Sequence, residues 1–124
     1  MYVIEPSDVN NERRVECPSG GFVSYRYILK SQKMGFGLHK TEIPAGEWNH
    51  WHYKKHLEAC YCISGRGLIK EAATGKVTEV YPGCCYVLDQ HDDHFFRAIT
   101  QVTLISVFNP PCTGKEVHDE SGSY

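Results

Sequence analysis

Five side chains able to bind a metal or move a proton crowd the stretch from His50 to Glu58: His50, His52, Tyr53, His56 and Glu58. A second segment, YPGCCYVLDQHDDHFF (81–96), carries Tyr86, Asp89, His91, Asp92, Asp93 and His94. Imidazole and carboxylate are the usual donors for iron, zinc and nickel, and a metal site needs several of them to converge on one point. For His50, His52 and His56 the plain alternative is a solvated position beside Lys54 and Lys55. Glu58 is different. It stands between Leu57 and the apolar run ACYCI, where a carboxylate is costly to bury unless paired or metal-bound. Tyr86 lies in an apolar strand, where a buried hydroxyl wants a partner. His94, directly before Phe95 and Phe96, is expected to point inward, with Asp92 and Asp93 as solvated turn residues.

Those residues need strands to carry them. YVI (2–4) reads as a first short strand, and Pro6 to Asp8 as a helix start capped by Ser7 or Asp8. After Gly20-Gly21, FVSYRYIL (22–29) alternates, placing Phe22, Ser24 and Arg26 on one face. Arg26 is open to two readings: a solvated outer face, or a guanidinium inside a barrel whose fork suits a carboxylate. FGLHKTEI (36–43) follows with His39 and Thr41 on one face, and Pro44-Ala45-Gly46 turns the chain into the histidine-rich stretch, with residues 50–56 as loop. Strands are then expected at 58–64, 68–72, 77–81, 85–88, 95–99 and 102–108, the last buried and central, until Pro110-Pro111 ends pairing. Short strands at this spacing, with no helical period longer than two turns, predict an all-β barrel or sandwich in one domain spanning residues 1–124.

Composition excludes several classes. The net charge of −2 comes with scattered Lys and Arg, so neither nucleic acid nor an acidic surface is expected as partner. No apolar run is long enough to span a membrane. The N-terminus MYVIEPSDVNNERR lacks a cationic start and apolar core, so no signal peptide is expected. The six cysteines include no CxxC pair, and reduced cytosolic thiols serving as small core residues are the simplest expectation.

Glu58-x6-Gly65 followed by Pro82-Gly83-x10-His94 resembles the paired cupin motifs, which implies an all-β double-stranded β-helix, a jelly-roll-like barrel with little helix and a metal inside. A narrower likeness covers nearly the whole chain: SYR (24–26), HYKKHLEACYC (52–62), YVLDQHDDH (86–94) and FNPPCTGKEVHDESGSY (108–124) resemble the ectoine synthase family. That resemblance implies iron(II), or another divalent metal, on Glu58, Tyr86 and His94. It implies substrate contacts from Ser24, Arg26, Thr41, His56 and Phe108, with Phe22 at an aromatic pocket position, and catalysis by Tyr53, Glu116 and His118. The implied reaction closes N-γ-acetyl-L-2,4-diaminobutyrate to the cyclic amidine ectoine with loss of water. Glu116 is the expected base. A cytoplasmic homodimer acting on a small molecule is implied as well.

Three positions depart from the family. Phe22 stands where tryptophan is usual, Trp48 and Trp51 stand where smaller residues are common, and the chain stops at Tyr124 without a short extra tail. A repacked pocket leaves two alternatives open: another metal-dependent cupin enzyme, such as a dioxygenase or lyase, and a non-catalytic ligand-binding cupin.

Overall fold

In the computed structural model, which describes residues 1–119 and 122–124, ten strands build two sheets. They are β1 (Arg14–Glu16), β2 (Val23–Ile28), β3 (Gly37–Ile43), β4 (Asn49–Trp51), β5 (Leu57–Ser64), β6 (Gly67–Glu71), β7 (Val77–Val80), β8 (Cys85–Leu88), β9 (His94–Ala98) and β10 (Val102–Asn109). One sheet runs β1-β2-β3-β10-β5-β8 and the other β4-β9-β6-β7. Every pairing is antiparallel. Helix is limited to two 3-10 turns among the described residues, Pro6–Val9 and Lys30–Gln32. This is the expected all-β architecture.

Side-chain alternation decides which face goes in. On β10, Val102, Leu104, Ser106 and Phe108 are buried, and their neighbours in sequence are more exposed. On β5 the buried set is Glu58, Cys60 and Cys62, while Tyr61 and Ile63 face out. From the opposite sheet β9 contributes His94, Phe96 and Ala98. The apolar members of these rows, with Ile43 and Leu88, form the core between the sheets. Central β10, flanked by β3 and β5, is the buried strand that its composition predicts.

The register lines up a row of polar residues across five strands. Arg26 opposes His39, His39 opposes Ser106, Ser106 opposes Cys60, and Cys60 opposes Tyr86. Neighbouring strands lie about 4.8 Å apart, so successive members of the row are close neighbours on one face, and Ser106 and Cys60 meet at 3.5 Å. Four of them, Arg26, His39, Ser106 and Cys60, are almost wholly buried.

Four local expectations need correction. Residues 2–4 form no strand, because the edge of β2 is taken by Arg14–Glu16 and the triplet has nothing to pair with. The first turn begins after Glu5, whose N–H donates to Asp8 Oδ2 at 2.8 Å, so neither Ser7 nor Asp8 is the cap residue. The loop expected over 50–56 is shorter: Asn49–Trp51 pairs with β9, Trp51 opposite His94. That pairing joins the two chemistry-bearing segments directly. Lastly, Cys85 is exposed and Cys84 half-buried, so thiols fill the core at Cys17, Cys60, Cys62 and Cys112.

Beyond Pro110 the described residues form a tail without regular structure. Lys30 N–H donates to Cys112 O at 2.8 Å and His52 N–H to Gly122 O at 2.9 Å. Gly122 has φ +73°, and a Cβ there would lie 2.1 Å from His50 O, so only glycine lets the tail lie so close to β4. Within the tail string, Glu120 and Ser121 lie outside the described residues.

Candidate active site

Glu58, Tyr86, Tyr53, Thr41, Phe108 and Tyr124 line one cavity between the sheets, closed over by the tail. Its free volume is about 10 Å³, room for about one water. A far larger groove of about 530 Å³ lies outside it, between Cys17, Trp48, Trp51 and the tail's His118 and Gly122. His118 lines the groove, while Glu58, Tyr86 and Tyr53 line the smaller cavity.

Burial drives the Glu58 carboxyl up to about 7, against the opposing pull of the Cys60 thiol and the Ser106 hydroxyl. Burial likewise raises the Tyr86 phenol, with Cys60 and Glu58 adding to it. A carboxylate and a phenol beside one another, each costly to ionise in place, are groups that a cation would satisfy. His94, 1 % exposed, adds the third donor. Its Nδ1–H donates to Asp92 O at 2.9 Å, which leaves the lone pair on Nε2. That Nε2 is buried and has no hydrogen-bond partner among the described residues. By donor chemistry Glu58, Tyr86 and His94 suit a divalent metal, with Tyr86 lining both the Glu58 and the His94 space.

A second donor group joins His56 to the tail. Ligand atoms of His56, Cys112 and Glu116 lie within 4.8 Å of one another. It is less suited to a cation. The Glu116 oxygens already accept from Thr113 N at 2.8 Å, Thr113 Oγ1 at 2.8 Å and Gly114 N at 2.9 Å. Burial also pushes the Cys112 thiol up to about 12.

The other expected residues fall in two places. Tyr53 hydrogen-bonds through its hydroxyl to His118 Nε2 at 2.7 Å, and its ring stacks on Tyr124 at 5.0 Å. Burial lowers His118 to about 4, so it is neutral near pH 7, and raises the Tyr53 phenol well above its usual value. Below them, Arg26 is fully buried. Its Nη2 donates to Glu116 O at 2.6 Å, while Nε and Nη1 have no acceptor among the described residues. Of its two open readings, the inward one holds. His56 Nδ1–H donates to Pro110 O at 2.7 Å, and Thr41 Oγ1 meets Ser106 Oγ at 3.1 Å. Ser24 and Phe108 both contact the His39 ring. Glu116 differs from a free base: burial raises its carboxyl, but the hydrogen bonds from Thr113 and Gly114 win and bring it to about 2. His50 pairs with Asp93 near the surface, the plain alternative for that residue.

Phe22 and Trp51, two of the family departures, touch edge to face at 5.4 Å, and both line the cavity. The bulk missing at one position is present at the other. Sequence reasoning gave no site role to His39, Cys60, Ser106 and Tyr124. Three of these lie two residues from a named one on the same strand face: His39 from Thr41, Cys60 from Glu58, Ser106 from Phe108. That spacing was the available signal.

The chain matches the family model for ectoine synthase over residues 1–124. It is 47 % identical over 125 residues to the L-ectoine synthase of Alkalilimnicola ehrlichii, covering 100 % of this chain and 94 % of that relative. Among solved structures it is similar to ectoine synthase from P. lautus, with a TM-score of 0.88, 39 % identity, and coverage of 98 % of this chain and 87 % of that one. The cupin domain of Schizosaccharomyces pombe Cnp3 shares the fold alone, at TM-score 0.61 and 11 % identity over 72 % of this chain and 64 % of that one.

Proposed function

The chain belongs to the ectoine synthase family, and from that premise we propose how its cavity works: Glu58, Tyr86 and His94 hold a divalent metal, ferrous iron by preference, and Arg26 receives the substrate carboxylate. As an L-ectoine synthase it is a hydro-lyase that closes N-γ-acetyl-L-2,4-diaminobutyrate to ectoine and releases water. When bound, the metal supplies a Lewis acid that polarises an otherwise unreactive amide carbonyl.

The protein's own side chains do the rest. Arg26 has two nitrogens, Nε and Nη1, without an acceptor among the described residues, and their N–H groups can donate to a carboxylate. Phe108 and Phe22 wall the folded chain so that amine and amide meet, and pre-organising such a ring closure is worth about 7–11 kcal/mol. The Tyr53 phenol, kept protonated by burial, donates to the departing oxygen, and His118 Nε2 holds it in place. Glu116 has a different task from the base expected of it: it holds the tail turn, so that its carbonyl meets Arg26. The closed cavity keeps bulk water from hydrolysing the amide. The same reading has the enzyme act in the cytoplasm as a homodimer through the outer face of the six-stranded sheet, where Tyr61, Ile63 and Val87 stand exposed.

One observation carries the assignment, the family match over residues 1–124; the metal reading draws its support from the buried, unpartnered His94 Nε2 and from the burial that raises the Glu58 carboxyl and the Tyr86 phenol. The test is to incubate the purified protein with iron(II) and the acetylated diaminobutyrate under nitrogen and follow ectoine by chromatography. Product that depends on added metal is expected. Its absence from metal-loaded protein refutes the assignment.

A further inference from the structure

The mechanism above gives no task to two buried imidazoles: His56, whose ring is held by Pro110 O, and His39. His39, on β3, is 1 % exposed. Its Nδ1 lies 3.2 Å from Ser24 Oγ, and its ring packs on Phe108 at 4.8 Å. Its Nε2 is buried without a hydrogen-bond partner among the described residues. Its register neighbour on β2 is Arg26, whose Nε and Nη1 are unpartnered in the same sense. Side chains directly opposite on one face of a sheet lie about 5 Å apart. An α-amino acid carries its carboxylate and its nitrogen on the same carbon. A substrate that places the carboxylate on Arg26 therefore presents its α-ammonium to the adjacent strand, where His39 stands.

We propose that His39 is the base that removes a proton from the substrate's α-ammonium, a role that rests on the substrate assigned above. Nε2 takes one proton, and the freed lone pair forms the C–N bond to the amide carbon as the C=O π pair moves to oxygen. Tyr53 gives the oxygen one proton and the α-nitrogen, cationic after bond formation, gives up the second to it, so the C–O bond breaks and the oxygen leaves as water. The α-nitrogen starts with three hydrogens and ends with one in the ring, so the two it gives up balance the two in the water. His39 returns its proton to solvent and Tyr53 regains one, with no net change and no redox partner.

The surroundings suit the role. Burial chiefly, then Arg26 and His56, lower His39 to about 3, with Glu116 pulling the other way. These are the charged groups facing it from β2, from the segment before β5 and from the tail; Cys112 is the remaining titratable neighbour in that cluster, and Ser24 and Ser106 are neutral. A carboxylate bound to Arg26 cancels the guanidinium's repulsion, so substrate binding itself raises the basicity.

His39→Gln tests it. We expect kcat to fall by at least about 100-fold with KM little changed, the acidic limb of the kcat–pH profile to vanish, and added imidazole to restore turnover in His39→Ala. Independently, metal-free wild-type protein labelled with ¹⁵N-histidine should show one Nε2 resonance shifting on addition of N-γ-acetyl-diaminobutyrate. Should His39→Gln fail to fold, Ser24→Ala replaces it, with a displaced acidic limb expected. A folded His39→Gln with wild-type kcat and profile, an unmoved limb in Ser24→Ala, or no imidazole shift overturns the assignment. A wild-type enzyme that makes no ectoine refutes the reaction instead, and the spectrum of the metal-free protein still reports on His39.

Discussion

Replacing Arg26 by methionine should make the metal-free protein more stable and less able to bind its ligand. Arg26 is fully buried with Nε and Nη1 unpartnered, and a buried donor left unsatisfied costs about 1–3 kcal/mol. Two such groups cost about 2–6 kcal/mol. Against this stands the bond from Nη2 to Glu116 O at 2.6 Å, a charge-assisted contact worth about 1.5–3 kcal/mol. Methionine fills similar space, so repacking should cost under about 1.5 kcal/mol. The balance favours the variant by about 1 kcal/mol, read as a higher urea midpoint at an unchanged m-value. Ligand affinity should move the other way. Losing a charge-assisted carboxylate contact costs about 2–3 kcal/mol, or about 30- to 150-fold in Kd by calorimetry. A variant destabilised by about 2 kcal/mol or more, with product affinity intact, would show Arg26 to be a strut for the tail and refute its role as carboxylate receptor.

Glu58→Ala and His94→Ala should each take iron content, measured by elemental analysis, from stoichiometric to undetectable, because each removes one donor of the proposed set. Tyr124→Ala opens the cavity beside Tyr53 and Phe108; acetate and diaminobutyrate from hydrolysis should then rise at the expense of ectoine, and an unchanged product ratio counts against water exclusion by the tail. The pH dependence of stability has a definite sign at His39. Its folded pKa of about 3 lies below the unfolded 6.5, so the unfolded chain binds more protons between those values and stability is lost as pH falls through that window. Between pH 7 and pH 5 the stability of wild type relative to His39→Gln should therefore drop by about 2 kcal/mol in denaturant titrations. Phe96→Ala, at a fully buried ring stacked on Trp51, should cost about 3–5 kcal/mol, readable in the same titrations.

Strand alternation made most of the barrel legible. Ser24 and Arg26, Glu58 and Cys60, and Leu104 and Phe108 sort to the inner face by parity alone. What parity does not show is register. No local signal says that Arg26 opposes His39 or that Cys60 opposes Tyr86, because those neighbours are set by pairing between distant segments. The short edge strands Arg14–Glu16 and Asn49–Trp51 were hidden for a related reason: three residues carry too little pattern, and a partner strand defines them. Glu116 and His118 share a face in an extended tail, yet they part company in the fold. The turn at Thr113–Gly114 takes the carboxylate, and Tyr53 takes the imidazole.

The tail that closes the cavity also sets its traffic. Residual space of about 10 Å³ admits nothing the size of an acylated diamino acid, so the lining should shift to admit one, and the expected place is the Tyr124 ring and the tail's backbone moorings at Lys30 and His52. Entry and exit then become a mechanical event separate from bond making, paced by friction with the medium. An enzyme so arranged should slow in glycerol in proportion to solvent viscosity, and its speed can be retuned at those moorings without touching an atom of the reacting centre.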